Sequence, residues 1–153
     1  MPKRRQQIEM TPAEIDELLH GRQTMSVATM NRDGSVHLTA MWYGFLDGAP
    51  ALWTYGKSQK VRNLERDPRM SGLVEDGIAY DELRGVELVG RGRIIRDPDA
   101  VLAVGLDVYR RYTAPVTDDA VPLVERMGAK RVVVRFEVSR TVSWDHGRLG
   151  GGY

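Results

Sequence analysis

The sequence predicts a mainly β protein with inserted helices, an α+β chain whose extended runs close into a small antiparallel barrel. Three observations carry that prediction. Short runs of alternating apolar and polar residues are separated by tight-turn dipeptides, at Asp33-Gly34, Asp47-Gly48 and Asp76-Gly77. One long run contains both Gly90 and Gly92, a mark of the bulge or bend that closing a barrel requires. Helices are signalled between the runs by cap-plus-proline starts at Thr11-Pro12 and Asp97-Pro98.

Thr11-Pro12-Ala13-Glu14 combines a cap residue, a first-position proline and a Glu placed to close a capping box, so a short helix runs to about His20 and ends at Gly21. Met25 to Met30 and Ser35 to Leu46 are extended and joined through Asn31 to Gly34. The turn Asp47-Gly48-Ala49-Pro50 leads into a strand over Ala51 to Tyr55, giving three consecutive antiparallel strands. A cationic helix follows and stops at Asp67-Pro68. Met70 to Glu75 is a strand; Ile78 to Arg84 has no clear period; Val86 to Ile95 is the long glycine-containing strand.

After Asp97-Pro98, Val101, Val104, Val108 and Tyr112 share one helical face. Thr117 is placed to cap a further short helix ending at Gly128. Arg131 to Val138 alternates, with Val132, Val134, Phe136 and Val138 inward and Arg131, Arg135 and Glu137 outward. The run count is therefore six.

A length of 153 residues with 42% apolar content fits a single domain over 1–153, with tails at about 1–9 and 143–153. Twenty-two cationic side chains against 21 anionic ones, a net charge of +1, give no overall field for nucleic acid or an acidic membrane. Absence of cysteine excludes disulfides and thiolate metal sites. No run is long and apolar enough for a membrane span, and the charged N-terminus leads into no apolar segment of the secretory type, so a cytoplasmic location is expected.

The segment Ala51 to Leu64 is the most informative. An apolar run breaks at Gly56, and Lys57, Lys60 and Arg62 gather around the start of a helix, with Ser58 as its cap. Cations oppose the helix dipole there by about 0.3–1 kcal/mol each. Glu65 and Asp67 stand at the other end, where acids are also unfavourable. A bound anion, such as a phosphate group, would reconcile this order by receiving both the side-chain cations and the free amides. Trp42, Tyr43, Trp53 and Tyr55 cluster on the flanking strands; Trp53 and Tyr55 share a face and Thr54 takes the other, so aromatic surface can border a planar ring.

Other chemistries find less support. His20, His37 and His146 lack metal-ligand spacing, and no metal is expected. Ser143-Trp144-Asp145-His146 holds triad residue types only as sequence neighbours. Gly90-Arg91-Gly92 is too short for a dinucleotide loop.

Around the cationic turn the chain resembles the pyridoxamine-phosphate-oxidase-like split β-barrel superfamily of flavin and deazaflavin proteins. There a Thr-bearing strand leads through Ser-x-Lys into a helix, as Thr54 to Lys60 does here. The similarity runs from Thr24 to about Val138, and Lys60 to Arg69 resembles the branch that uses coenzyme F-420. The resemblance implies a split barrel in which Ser58 and Lys60 hold the cofactor phosphate, with Lys57 and Arg62 close by and Thr54 lining the ring side. Thr39, Met41, Trp53 and Asn63 join that cofactor-binding set. It also implies a homodimer with sites at the subunit interface, to which Trp144 and the tail contribute.

One departure bears on the cofactor. Val36 to Tyr43 lacks the cations that the vitamin-processing oxidases carry on this strand, which argues against oxidation of pyridoxamine phosphate. The singly charged phosphodiester of F-420 fits fewer cations better than the near-dianionic phosphate of FMN, so F-420 is expected and FMN is the alternative. The implied activity is hydride transfer to an electron-poor unsaturated small molecule, with solvent or Tyr43 supplying the proton. A non-catalytic binder of deazaflavin, flavin or haem is the competing class.

Overall fold

The computed structural model describes residues 1–150. Helices α1 (Arg4–Gln7), α2 (Pro12–His20), α3 (Gln59–Arg66), α4 (Pro98–Tyr112) and α5 (Ala120–Gly128) punctuate strands β1 (Met25–Met30), β2 (Val36–Met41), β3 (Tyr43–Leu46), β4 (Ala49–Tyr55), β5 (Arg69–Asp76), β6 (Arg84–Ile95) and β7 (Arg131–Asp145). The strands form one antiparallel sheet in the order β2-β1-β5-β6-β7-β4-β3.

Seven strands replace the expected six because Ser35 to Leu46 is not one strand. The chain changes partner at Trp42: β2 pairs with β1 at one sheet edge and β3 with β4 at the other. A single residue thus joins the two edges, and the sheet must curl to let it. Because β3 covers only Ala49 to Leu52 of β4, the edge of Trp53, Thr54 and Tyr55 away from β7 has no strand beside it. The barrel is closed at Trp42 and split beyond it, between β2 and the end of β4.

Alternation sorts the side chains into two cores. Inside the curl lie Met25, Val27, Tyr43, Leu52, Leu88, Val134 and Phe136, with α2 and α3 adding Leu18, Val61 and Leu64. On the other face of β4 and β7, Ala51, Trp53 and Val133 pack against Val101, Val104 and Val108 of α4 and Val124 of α5. The α2 capping box forms as expected, with the Glu14 N–H donating to Thr11 Oγ1 at 3.3 Å and the Thr11 N–H donating to Glu14 Oε2 at 2.8 Å.

Several expectations need correction. Val138 does not point inward; it is 39% exposed, beside the point where β7 steps out of register opposite Val89/Gly90 before pairing on with β6 to Asp145. Gly90 permits that approach: a Cβ on it would lie 2.0 Å from the Glu137 carbonyl oxygen. Thr117 does not cap α5 with its hydroxyl; its carbonyl accepts the Ala120 N–H at 3.0 Å, and the helix begins after Asp119. The segment from Ser143 is not an irregular tail, since β7, expected to end at Val138, continues to Asp145, whose N–H donates to the Ile8 carbonyl at 2.7 Å, and a 3-10 turn covers His146–Leu149. The remainder of that expected tail, 151–153, lies outside the described residues. The periodless stretch resolves into a 3-10 turn at Tyr80–Glu82.

Candidate functional site

The start of α3 holds a buried lysine and an unpaired hydroxyl. Ser58 occupies the cap position in extended geometry, yet its hydroxyl makes no cap bond, and Oγ is buried without a partner. Lys60, which falls in the first turn, is folded inward. It is 8% exposed, and Nζ donates to Thr54 Oγ1 at 3.2 Å. An ammonium has three N–H donors, and among the described residues no carboxylate pairs with this one. Burial lowers its pKa from the usual lysine value.

Lys57 and Arg62 are exposed, so the expected cluster of three cations reduces to one buried lysine with two solvated neighbours. The acids at the other end have partners of their own. Glu65 pairs with Arg96 at 3.1 Å, and Asp67 takes a fork of bonds from Arg69 that holds its carboxyl at about 2. Their placement therefore says nothing about an anion, and Lys60 and Ser58 are the residues that point to one.

Asn63 is not available to a ligand. It is fully buried, its Nδ2 donates to Thr29 Oγ1 at 3.1 Å and Asn31 Oδ1 at 2.9 Å, and its Oδ1 accepts from Gln59 at 2.8 Å. It fastens α3 to β1 and the turn after it. Thr29 is the register partner of His37, which stands two residues from Thr39 on the same face of β2. His37 Nδ1 and Thr39 Oγ1 are both buried without a partner. Most buried polar atoms in a protein are bonded. Here the split has one on Ser58 at the start of α3 and two on the β2 face that meets β1's core residues.

Trp53 and Thr54 are separated by the sheet. Thr54 faces Lys60, whereas Trp53 faces α4 and α5 and lines a cavity of about 400 Å³ together with Met41, Trp42 and Arg131. Trp53 and Tyr55 do not form an open slot, because the Arg131 guanidinium lies against both rings, with Cζ 4.4 Å and 4.3 Å from their centroids. Trp42 stacks on Tyr112 with centroids 4.8 Å apart.

Tyr43 is corrected as a proton donor. It is fully buried, its hydroxyl donates to the Leu19 carbonyl, and burial pushes its pKa up to about 12. Ser143 Oγ accepts the Met10 N–H at 3.0 Å and Asp145 accepts from Gly147, so no triad forms there. Trp144 is half-buried with its ring over Gly85, where a Cβ would sit 2.4 Å from the ring.

Three residues that reasoning from sequence missed are Arg111, Arg131 and His37. Arg111 continues the Val104, Val108 spacing on the apolar face of α4, which was a usable signal. Arg131 does point outward from the barrel, but its face is covered by helices, which no local pattern shows. His37 shares its alternation with Thr39 and Met41.

Residues 11–145 match the family model of pyridoxamine 5'-phosphate oxidase. A conserved hypothetical protein from Mycobacterium tuberculosis is 48% identical with a TM-score of 0.94, covering 99% of this chain and 95% of that one. An F-420 reductase is 26% identical with a TM-score of 0.66, over 86% of this chain and 98% of its own. The haem storage protein HutZ from Vibrio cholerae, 14% identical with a TM-score of 0.68 over 89% and 97%, shares the fold alone. No curated protein matches the chain.

Proposed function

Because the chain belongs to the pyridoxamine 5'-phosphate oxidase family, we propose that it is an oxidoreductase that binds coenzyme F-420 in the split of the barrel and reduces an electron-poor unsaturated small molecule. The observation that carries this reading is the buried, carboxylate-free Lys60 in the first turn of the helix that Ser58 caps, where the Ser58 hydroxyl is also buried without a partner. An anion arriving there would receive charge-assisted bonds from the ammonium and a hydroxyl bond from Ser58, each stronger in a site from which water is excluded. The residues fit a singly charged phosphodiester. One buried cation balances one charge, and β2 supplies Thr39 and His37 where a dianion would call for further permanent cations. The likeness to an F-420 reductase supports the same choice over FMN.

When bound in reduced form, the cofactor supplies a hydride. The chain's own part is to bind and orient. Lys60 and Ser58 anchor the charged end, Thr54 holds the ammonium in line, and Thr39 and Met41 border the cofactor along β2. Tyr43 has no path to a substrate, so the proton comes from solvent. Val36 and Leu38 leave the outer face of β2 at 59% and 66% exposure, and Trp42 and Tyr55 flank the split at 51% and 55%. A second copy covering that apolar edge would complete the site, so we assign a homodimer.

Parallel equilibrium titrations with F-420, FMN and haem test the cofactor. F-420 should bind at least about ten-fold more tightly than FMN, a difference of about 1.4 kcal/mol. Tighter FMN or haem binding overturns the reading. Single-turnover mixing of the reduced complex with enones and quinones then tests the reaction; tight binding with no oxidation across the panel makes the protein a carrier.

A further inference from the structure

Trp53 is only 8% exposed, yet its indole N–H has no acceptor. The Nε–H of Arg131 is buried in the same condition. Both side chains line the cavity of about 400 Å³ between β4, α4 and α5, and neither group can accept a hydrogen bond. No carboxylate is among the residues that line this cavity, and among the described residues none pairs with Arg131. The cavity is therefore bordered by two residues that carry unpaired buried donors, one of them permanently charged, while its other walls are largely apolar, including Met41, Trp42, Val108 and Met127. Native proteins leave few such groups unpaired, and pockets that orient a ligand do so with a small number of polar groups set among apolar walls.

We infer that this cavity receives a planar, largely apolar anion, a carboxylate or enolate conjugated to a ring system, whose oxygen accepts from the Trp53 indole N–H and the Arg131 guanidinium. Charge selects the class: Arg131 keeps its proton, and the carboxylates of Asp99 and Glu125, which line a second cavity with it, form no ion pair with it. Shape supports it. The stacked Trp42 and Tyr112 rings give the Trp42 wall a flat backing, and Gly105 lets α4 lie flush on Trp53, where a Cβ would come within 2.7 Å of the indole. The volume falls near the lower end of small-molecule sites, roughly 300–1,000 Å³, which suits a bicyclic or tricyclic molecule and not a whole nucleotide-like cofactor. Met41, on the same face of β2 as Thr39, places the cavity's wall at the split. That the bound anion is also the molecule reduced rests on the function proposed above; the binding itself does not.

The test uses the full chain without cofactor and two probes with one ring system, 2-naphthoate and neutral 2-naphthalenemethanol. Binding is followed through the indole N–H resonances, with Trp53→Phe assigning the Trp53 signal and Trp144 as a distant control. Naphthoate should shift the Trp53 resonance, leave that of Trp144 in place, and bind about ten-fold or more tightly than the alcohol. Arg131→Leu should abolish that preference, and Trp53→Phe, which keeps a ring but loses the donor, should reduce naphthoate affinity by about three-fold or more. Equal affinities for the two probes, an unmoved Trp53 signal, or a preference that survives in folded Arg131→Leu overturns the inference. A parallel F-420 titration separates the two readings. F-420 binding without naphthoate binding defeats this inference alone; naphthoate binding without F-420 binding defeats the proposed cofactor and leaves the cavity assignment standing.

Discussion

Arg111 lies over the ring of Tyr43, its Cζ 4.9 Å from the centroid, while its Nε donates to the Tyr43 carbonyl at 3.0 Å. The two residues hold each other in the core beneath the end of α2, where the Tyr43 hydroxyl meets the Leu19 carbonyl. Tyr43→Phe should therefore cost about 1 kcal/mol in urea unfolding, the net worth of one hydrogen bond, and leave the rate of substrate reduction unchanged. A fall in that rate with unchanged stability would restore Tyr43 as the proton donor.

Arg111 is itself a buried cation satisfied by carbonyls. Besides Tyr43, it reaches the oxygens of Leu19, His20 and Gly21 at 2.9–3.4 Å, closing the C-terminal end of α2. Arg111→Leu strands those acceptors, and a loss of about 2–4 kcal/mol is expected. Chemical denaturation measures it; a change under about 0.5 kcal/mol, the range of ordinary surface substitutions, would mean that water replaces the guanidinium.

Lys60→Met should separate stability from binding. Removing a buried ammonium that lacks a counter-ion leaves stability unchanged or raises it, whereas F-420 affinity should fall by about ten- to a hundred-fold with loss of a charge-assisted anchor. Lys57→Ala, at an exposed position, should change affinity by less than about two-fold. Equal losses in the two variants in a fluorescence titration would dissolve the anion site.

The same lysine sets a pH dependence. Burial places its folded pKa below the ordinary lysine value of 10.5, so between the two the unfolded chain binds more protons and stability rises with pH through that window. An anion favours the protonated form and pulls the pKa back up. Affinity for F-420 should therefore fall as pH climbs through the free protein's lowered value, with proton uptake on binding in that range. Lys60→Met should flatten the profile, which isothermal titration in buffers of different ionisation enthalpy can read.

Gly105→Ala should push against Trp53 and Val124, which a Cβ would approach to 2.7 and 2.8 Å. Overpacking of this kind costs about 1–3 kcal/mol. The indole borders the cavity and can yield into it, so the Trp53 fluorescence maximum should shift along with the loss of stability. An unchanged spectrum would show that α4 moves instead.

Much of the architecture was readable because its signals are local. Thr11-Pro12, Asp97-Pro98 and the Asp-Gly turns act within a few residues, and α2, α4 and the β1–β2 hairpin follow from them. The break at Trp42 was not readable, since His37, Thr39, Met41, Tyr43 and Phe45 keep one alternation straight through it; the pleat continues while the partner strand changes. At the site, Ser58, Lys60 and Thr54 form a sequence-local group around one turn, and the structure brings Lys60 onto Thr54. The surroundings of Asn63, Tyr43 and Trp53 are not legible in the sequence because their partners lie across the fold, at Thr29, Leu19 and Arg131.

The partner change at Trp42 also limits how the protein can breathe. At the other end α3, which continues from β4, is fastened to β1 through Asn63 on Thr29 and Asn31, and Thr29 is paired with His37. The aperture is therefore hinged at Trp42 and latched at its far end, and widening it requires the Asn63 bonds to break first. Guests that enter without breaking that latch must fit an opening of fixed dimensions.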